Sequence, residues 1–168
     1  MFDKFGEFDS FEDINRAAEA QKAEGDFEAL KALAQENGID PEDAEDFFHG
    51  YLDHFCTAKD AALGKLRIEK TDMKLEREFL LLEEELEKAC MEDPAVAAGV
   101  RRKGKSLAGY MAKIIDKGYE QAVTPPKEIL QYVKAVPSQY KDRMKTGMPD
   151  KATRKEIMRT YYCEEVTG

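Results

Sequence analysis

Nothing in this 168-residue chain approaches the roughly 18 consecutive apolar residues of a membrane-spanning helix, which argues against a membrane protein. The first ten residues, MFDKFGEFDS, lack the basic segment and apolar stretch that mark a secretory leader. Only three cysteines occur, Cys56, Cys90 and Cys163. An odd, widely spaced set of that kind argues against a disulfide framework and for a reducing, cytoplasmic setting. Only two histidines occur, His49 and His54, so general-base chemistry would fall to carboxylates with nothing to mark which ones. No Cys/His pair with an orienting acid and no Ser/His/Asp arrangement stands out. Strand-like alternation is equally scarce, and Leu66–Glu69 is the one segment that reads as a short strand. These absences predict a non-enzymatic protein with no catalytic residue, no bound metal and no cofactor.

What is present is charge, and it is unevenly spread. Asp and Glu total 35 against 26 Lys and Arg, a net charge of −9. Residues 1–50 hold 15 acids and 4 bases, and residues 51–100 hold 12 and 7. Residues 101–168 reverse the balance, with 8 acids and 15 bases. All nine phenylalanines lie at or before Phe79, and six of the seven tyrosines follow residue 100. Two helical modules are expected on this basis, an acidic Phe-rich one over 1–93 and a basic Tyr-rich one over 94–168. Such halves attract each other, and each also offers an interaction surface of its own.

The elements read as all-α. Ser10 caps a helix running to about Glu24 and stopping at Gly25, and Asp26 starts another that ends near Gly38. Asp40-Pro41 is a further start, with proline at the first helical position. From there Ala44, Phe47, Phe48, Tyr51, Leu52 and Phe55 recur at helical spacing, which predicts a helix continuing to Phe55. A short segment over Ala58–Leu66 leads into the expected longest helix, Asp72–Met91. Leu75, Phe79, Leu82, Leu86 and Ala89 give it a 4-3-4-3 seam that closes within one chain or between two in a homodimer. Ser106 caps a helix carrying Leu107, Tyr110, Met111, Ile114 and Ile115 on one face, and Asp150–Cys163 forms the last helix. Phe2, Phe5, Phe8 and Phe11 recur every three residues and read as an arm folded back on the protein's own helices.

Three constellations carry possible chemistry. Gly99-Val100-Arg101-Arg102-Lys103-Gly104-Lys105-Ser106 satisfies the phosphate-loop pattern, in which backbone amides and a lysine hold phosphate and the Ser hydroxyl holds magnesium. That loop needs a buried strand before it, and Glu92–Ala98 is no such strand, so nucleotide hydrolysis is not expected. A basic turn at a helix start still suits an anion, which makes Arg101, Arg102, Lys103 and Lys105 candidate contacts for phosphate. Lys151, Lys155 and Arg159 recur every four residues on the last helix and extend that candidate nucleic-acid surface. On the helix after Pro41, His49 is followed by Asp53 and Cys56 at i+4 and i+7. These three would share a face able to meet one divalent metal with Glu45 or Asp46, although an exposed acidic face is the preferred reading.

The stretches Lys4–Phe8, Ser10–Asn15, Glu24–Asp26, Ala34–Ile39 and Ala62–Leu66 resemble a family of small proteins. So do Lys155–Tyr162 and, most specifically, VRRKGKSLAGY at Val100–Tyr110. The family is the PcfK-like proteins of conjugative and other mobile elements of gut bacteria, with relatives classed as anti-CRISPR inhibitors of type II effector nucleases. The chain departs from the pattern at Tyr110, where a cysteine is frequent, and in containing no tryptophan. The resemblance implies no active site. It implies an interaction protein whose acidic face, with Asp43, Glu45, Asp46 and Asp53, enters the cationic channel where an RNA-guided nuclease holds nucleic acid. The alternatives are a DNA-binding accessory protein of conjugation, using the basic C-terminal half, and a structural adaptor.

Overall fold

A computed structural model describes residues 5–164, and the described residues are all-α, as the sequence predicts. The helices are α1 (Phe11–Glu24), α2 (Phe27–Asn37), α3 (Pro41–His49), α4 (Ala58–Met73), α5 (Glu78–Glu92), α6 (Pro94–Arg101), α7 (Leu107–Glu120), α8 (Lys127–Leu130) and α9 (Lys151–Cys163). A 3-10 helix covers Ser138–Arg143. Local chemistry sets most of the starts. Ser10, Asp26, Asp40, Thr57, Asp93, Ser106 and Asp150 each accept a hydrogen bond from a backbone N–H of the first turn.

Two sequence expectations about helix extent fail. The helix after Pro41 stops at His49 rather than running to Phe55. Gly50 takes a left-handed conformation with φ 82°, and Tyr51 N–H donates back to Asp46 O at 2.8 Å. Asn15 of α1 then captures the chain beyond the stop. Its Oδ1 accepts from Phe55 N and Cys56 N at 2.9 and 3.1 Å, and its Nδ2 donates to Cys56 O at 2.8 Å. Phe55 is thereby buried from a turn, and its helical spacing from Phe47 is incidental. The second failure lies further on: the short segment and the start of the long helix are one helix, α4, with Leu66–Glu69 inside it and not a strand. The chain breaks at 74–77, where Lys74 and Arg77 both take positive φ (51° and 52°), and α5 folds back onto α4.

The seam on α5 closes within the chain. Leu82 and Leu86 are buried in a cluster with Leu66, Val96, Val100, Leu107, Tyr110, Ile114, Met158 and Tyr162, and Leu75, Phe79 and Ala89 pack against it. A second cluster gathers Ile14, Leu30, Leu33, Ala44, Phe47, Phe55 and Ala61. Phe5, Phe8 and Phe11 lie against that cluster, so the described part of the aromatic arm folds inward; Phe2 lies outside the described residues. The two clusters part between Ala61 and Ala62, inside α4. At 93/94 a tight turn joins α5 to α6, which pack on each other, and α6 also packs on α4 and α9. Gly99 permits the approach of α6 to α9, and Gly64 that of α4 to the end of α2. A Cβ at Gly64 would lie 2.3 Å from Asn37 O, and one at Gly99 would lie 2.2 Å from Tyr162 O.

Candidate functional site

The basic turn is built from below by α4. Lys65, 3% exposed, donates from Nζ to the carbonyl oxygens of Arg102 (3.3 Å) and Lys105 and to Glu7 Oε1 (3.4 Å). Burial holds its ammonium below the ordinary lysine value, opposed by the charges of Glu69 and Glu7. One turn further, Glu69 Oε2 accepts from Leu107 N at 2.7 Å, placing a carboxylate at the N-terminus of α7. Burial pushes that carboxyl up, while the bond from Leu107 draws it down. Ser106 N–H donates to the Tyr161 hydroxyl (3.1 Å), and Gly109 N–H donates to Ser106 Oγ (3.1 Å). The protein's own carboxylate and hydroxyls therefore use the amides that a phosphate would need. The element before the loop is helix α6, so the strand that phosphate-loop chemistry requires is missing as expected.

Arg101 is a correction to the predicted anion site. It is 1% exposed and points inward, donating from Nη2 to Asn37 Oδ1 at 3.0 Å, and burial lowers its guanidinium pKa. Arg102 and Lys103 are exposed, and Lys103 lies 3.9 Å from Asp9. Lys105 is half-buried, with its ammonium 5.0 Å from the centre of the Tyr161 ring.

The stripe on α9 is present, with Lys151 and Lys155 exposed and without an ion pair among the described residues. Arg154, between Lys151 and Lys155, makes a two-pronged pair with Glu85 of α5: Nε to Oε2 at 2.9 Å and Nη2 to Oε1 at 2.6 Å. Arg159 reaches Asp93 at 3.1 Å. Lys151 and Lys155 line a small cleft of about 110 Å³ with Glu85, Lys88 and Glu92. Arg154 above all, with Lys151 and Lys155, holds the Glu85 carboxyl below the ordinary value. Arg154 and Arg159, answered this way within the fold, have little left for DNA phosphates.

The acidic face behaves differently. Glu45 and Asp46 are exposed on α3, Asp43 is half-buried beside them, and Asp53 is exposed in the turn after Gly50. None of the four makes an ion pair among the described residues. The Asp43 carboxyl is pushed up, first by burial and then by the charges of Asp40, Asp60 and Asp46. That is the field of a surface carrying carboxylates without counter-ions. His49, Asp53 and Cys56, by contrast, are not brought together. His49 ends α3 and lies among the rings of Phe27, Phe48 and Tyr51, while Cys56 is buried with its thiol pushed up to about 12. Among the described residues no three His, Cys, Asp or Glu side chains are grouped to hold a metal.

No family profile, curated protein or solved structure matches this chain. The site must be read from its own geometry.

Sequence reasoning missed the buried Lys65 and Glu83 and the half-buried Glu69, along with the Glu85–Arg154 pair. Arg101 had a usable signal. It follows Val100 and stands four residues after Ala97, so as the last residue of α6 it lies on the face that Val96, Ala97 and Val100 bury. No helix among the described residues is long and apolar enough to cross a membrane.

Proposed function

We propose that this is a non-enzymatic interaction protein that offers the acidic surface of α3 and the following turn to a cationic partner. The reading extends to a PcfK-like protein of a mobile element that inhibits a type II RNA-guided nuclease. Carboxylates would then lie where phosphates otherwise run in a positively charged channel. One observation carries it: Asp43, Glu45, Asp46 and Asp53 lack ion pairs, whereas α5 has three carboxylates matched to cations, Glu83, Glu85 and Asp93. Unscreened charge of one sign speeds association with an opposite surface and sharpens choice of partner.

An order-of-addition experiment tests this. A type II effector nuclease is incubated with the protein before or after target DNA, and cleavage is followed. The proposal expects loss of cleavage when the protein is added first and protection of the nuclease when DNA is added first. Unaffected cleavage in both orders by several such nucleases contradicts it. The DNA-binding alternative loses support at its predicted contacts, since Arg101 is buried and Arg159 is engaged with Asp93.

A further inference from the structure

Between α7 and α9 the chain leaves the helical body and returns to it. Val123 and Thr146 close the excursion with two antiparallel backbone hydrogen bonds, each 3.0 Å. Pro125 and Pro126 open it and Pro149, which is buried, lies just beyond its end. Inside, Leu130 of α8 is buried, and Lys141 Nζ donates to Leu130 O at 2.8 Å, holding the 3-10 helix against α8. Tyr132 and Tyr140 flank that contact in sequence, and both rings face solvent, 78% and 52% exposed. Residues 124–145 carry five Lys or Arg against two acids. Lys127, Lys134, Arg143 and Lys145 make no ion pair among the described residues.

The two tyrosines that the sequence reading set beside the basic stripe are used inside the molecule. Tyr162 is fully buried with its hydroxyl donating to Ser106 O, and Tyr161 meets Tyr162 edge to face and accepts from Ser106 N–H. Exposed tyrosine rings and cations without ion pairs therefore occur together in the 123–146 excursion.

We propose that this excursion binds single-stranded nucleic acid, bases stacking on Tyr132 and Tyr140 and phosphates meeting Lys127, Lys134, Arg143 and Lys145. Exposed rings on a segment that also carries unpaired cations suit unstacked bases on a charged backbone. A duplex offers only its phosphates to such a surface, because its bases are already stacked. The net negative charge of the whole chain does not oppose this at close range, since salt at about 0.1 M screens charges beyond roughly 10 Å. The proposal does not rest on the α3 reading.

Fluorescence anisotropy of labelled oligothymidylate and oligouridylate, titrated with the full chain, tests it. At low salt both strands bind at least tenfold more tightly than a duplex of equal length. The double variant Tyr132→Ala/Tyr140→Ala, shown by circular dichroism to be folded, binds about tenfold or more weakly. Tyr132→Phe/Tyr140→Phe, which keeps the rings, retains affinity. The plot of log affinity against log salt has a slope of about −3, as expected for four cations on a single strand. Binding of neither strand at low salt overturns the proposal, as does an unchanged affinity of the double alanine variant. Displacement by polyglutamate as effective as by unlabelled oligonucleotide also overturns it, because the surface would then answer to an acidic protein. A preference for the deoxy or the ribo strand identifies which nucleic acid is the ligand.

Discussion

α3 and α5 are both acidic helices, and the fold treats them in opposite ways. On α5, Glu83 is completely buried against Lys70 at 2.6 Å, Glu85 is gripped by Arg154, and the C-cap Asp93 meets Arg159. On α3, Asp43, Glu45 and Asp46 face outward with no cation opposite them among the described residues. Glu83, Glu85 and Asp93 serve the fold by attaching α4 and α9. Those of α3 do no such work, and their mutual repulsion runs slightly against folding. Charge that the fold does not use is what a partner is free to use.

Breaking the α5 side should have the largest effect. Lys70→Met leaves Glu83 buried without its cation and should cost about 3 kcal/mol at neutral pH, read by urea unfolding. Burial raises the Glu83 carboxyl above its ordinary value, so it takes up a proton more readily in the folded state than in the unfolded. Its protonated form needs no cation. The loss in Lys70→Met should therefore shrink as pH falls from neutral toward about 5, and a loss that grows over that range would break the assignment.

Arg154→Ala comes next, at about 2 kcal/mol, because it removes both charged hydrogen bonds to Glu85 and a third to Pro149 O. Thermal unfolding should show this as a fall of about 4–8 °C. Here the pH dependence has the other sign. Arg154 depresses the Glu85 carboxyl, so the wild-type advantage is fully present above the ordinary value of 4.5. It fades as pH falls through the lower folded value. Stability curves of the two proteins that stay parallel below pH 4.5 would contradict the pairing.

The smallest effect belongs to α3. Asp43→Asn, Glu45→Gln, Asp46→Asn and Asp53→Asn together should change stability by less than about 0.5 kcal/mol, with any change in the stabilising direction. A clear destabilisation would mean that these carboxylates serve the fold after all, and the contrast with α5 would collapse.

Features written in adjacent residues were legible in the sequence. The caps Ser10, Asp26, Asp40, Ser106 and Asp150 act within three residues of themselves, and each starts a helix where expected. Gly50 was hidden because Tyr51, Leu52 and Phe55 continue the apolar rhythm beyond it. What turns the chain there is Asn15, some forty residues earlier. The break before α5 has no glycine or proline to announce it, only Lys74 and Arg77 in a conformation such residues seldom adopt. The ionic core was illegible for a similar reason. Lys65 meets carbonyls 37 and 40 residues away, and Arg154 meets Glu85 across 69. A run such as Arg101–Lys105 looks uniform in the sequence, yet the fold buries its first member and exposes the next two. The acidic candidate face was legible because its residues needed only to remain unpaired.

The most direct test of the central claim sets the α3-neutralised variant against the wild type in a cleavage assay with a type II RNA-guided nuclease. The account predicts that wild type suppresses cleavage and that the quadruple variant, equally folded and equally stable, does not. Suppression by the variant equal to that of the wild type would contradict it.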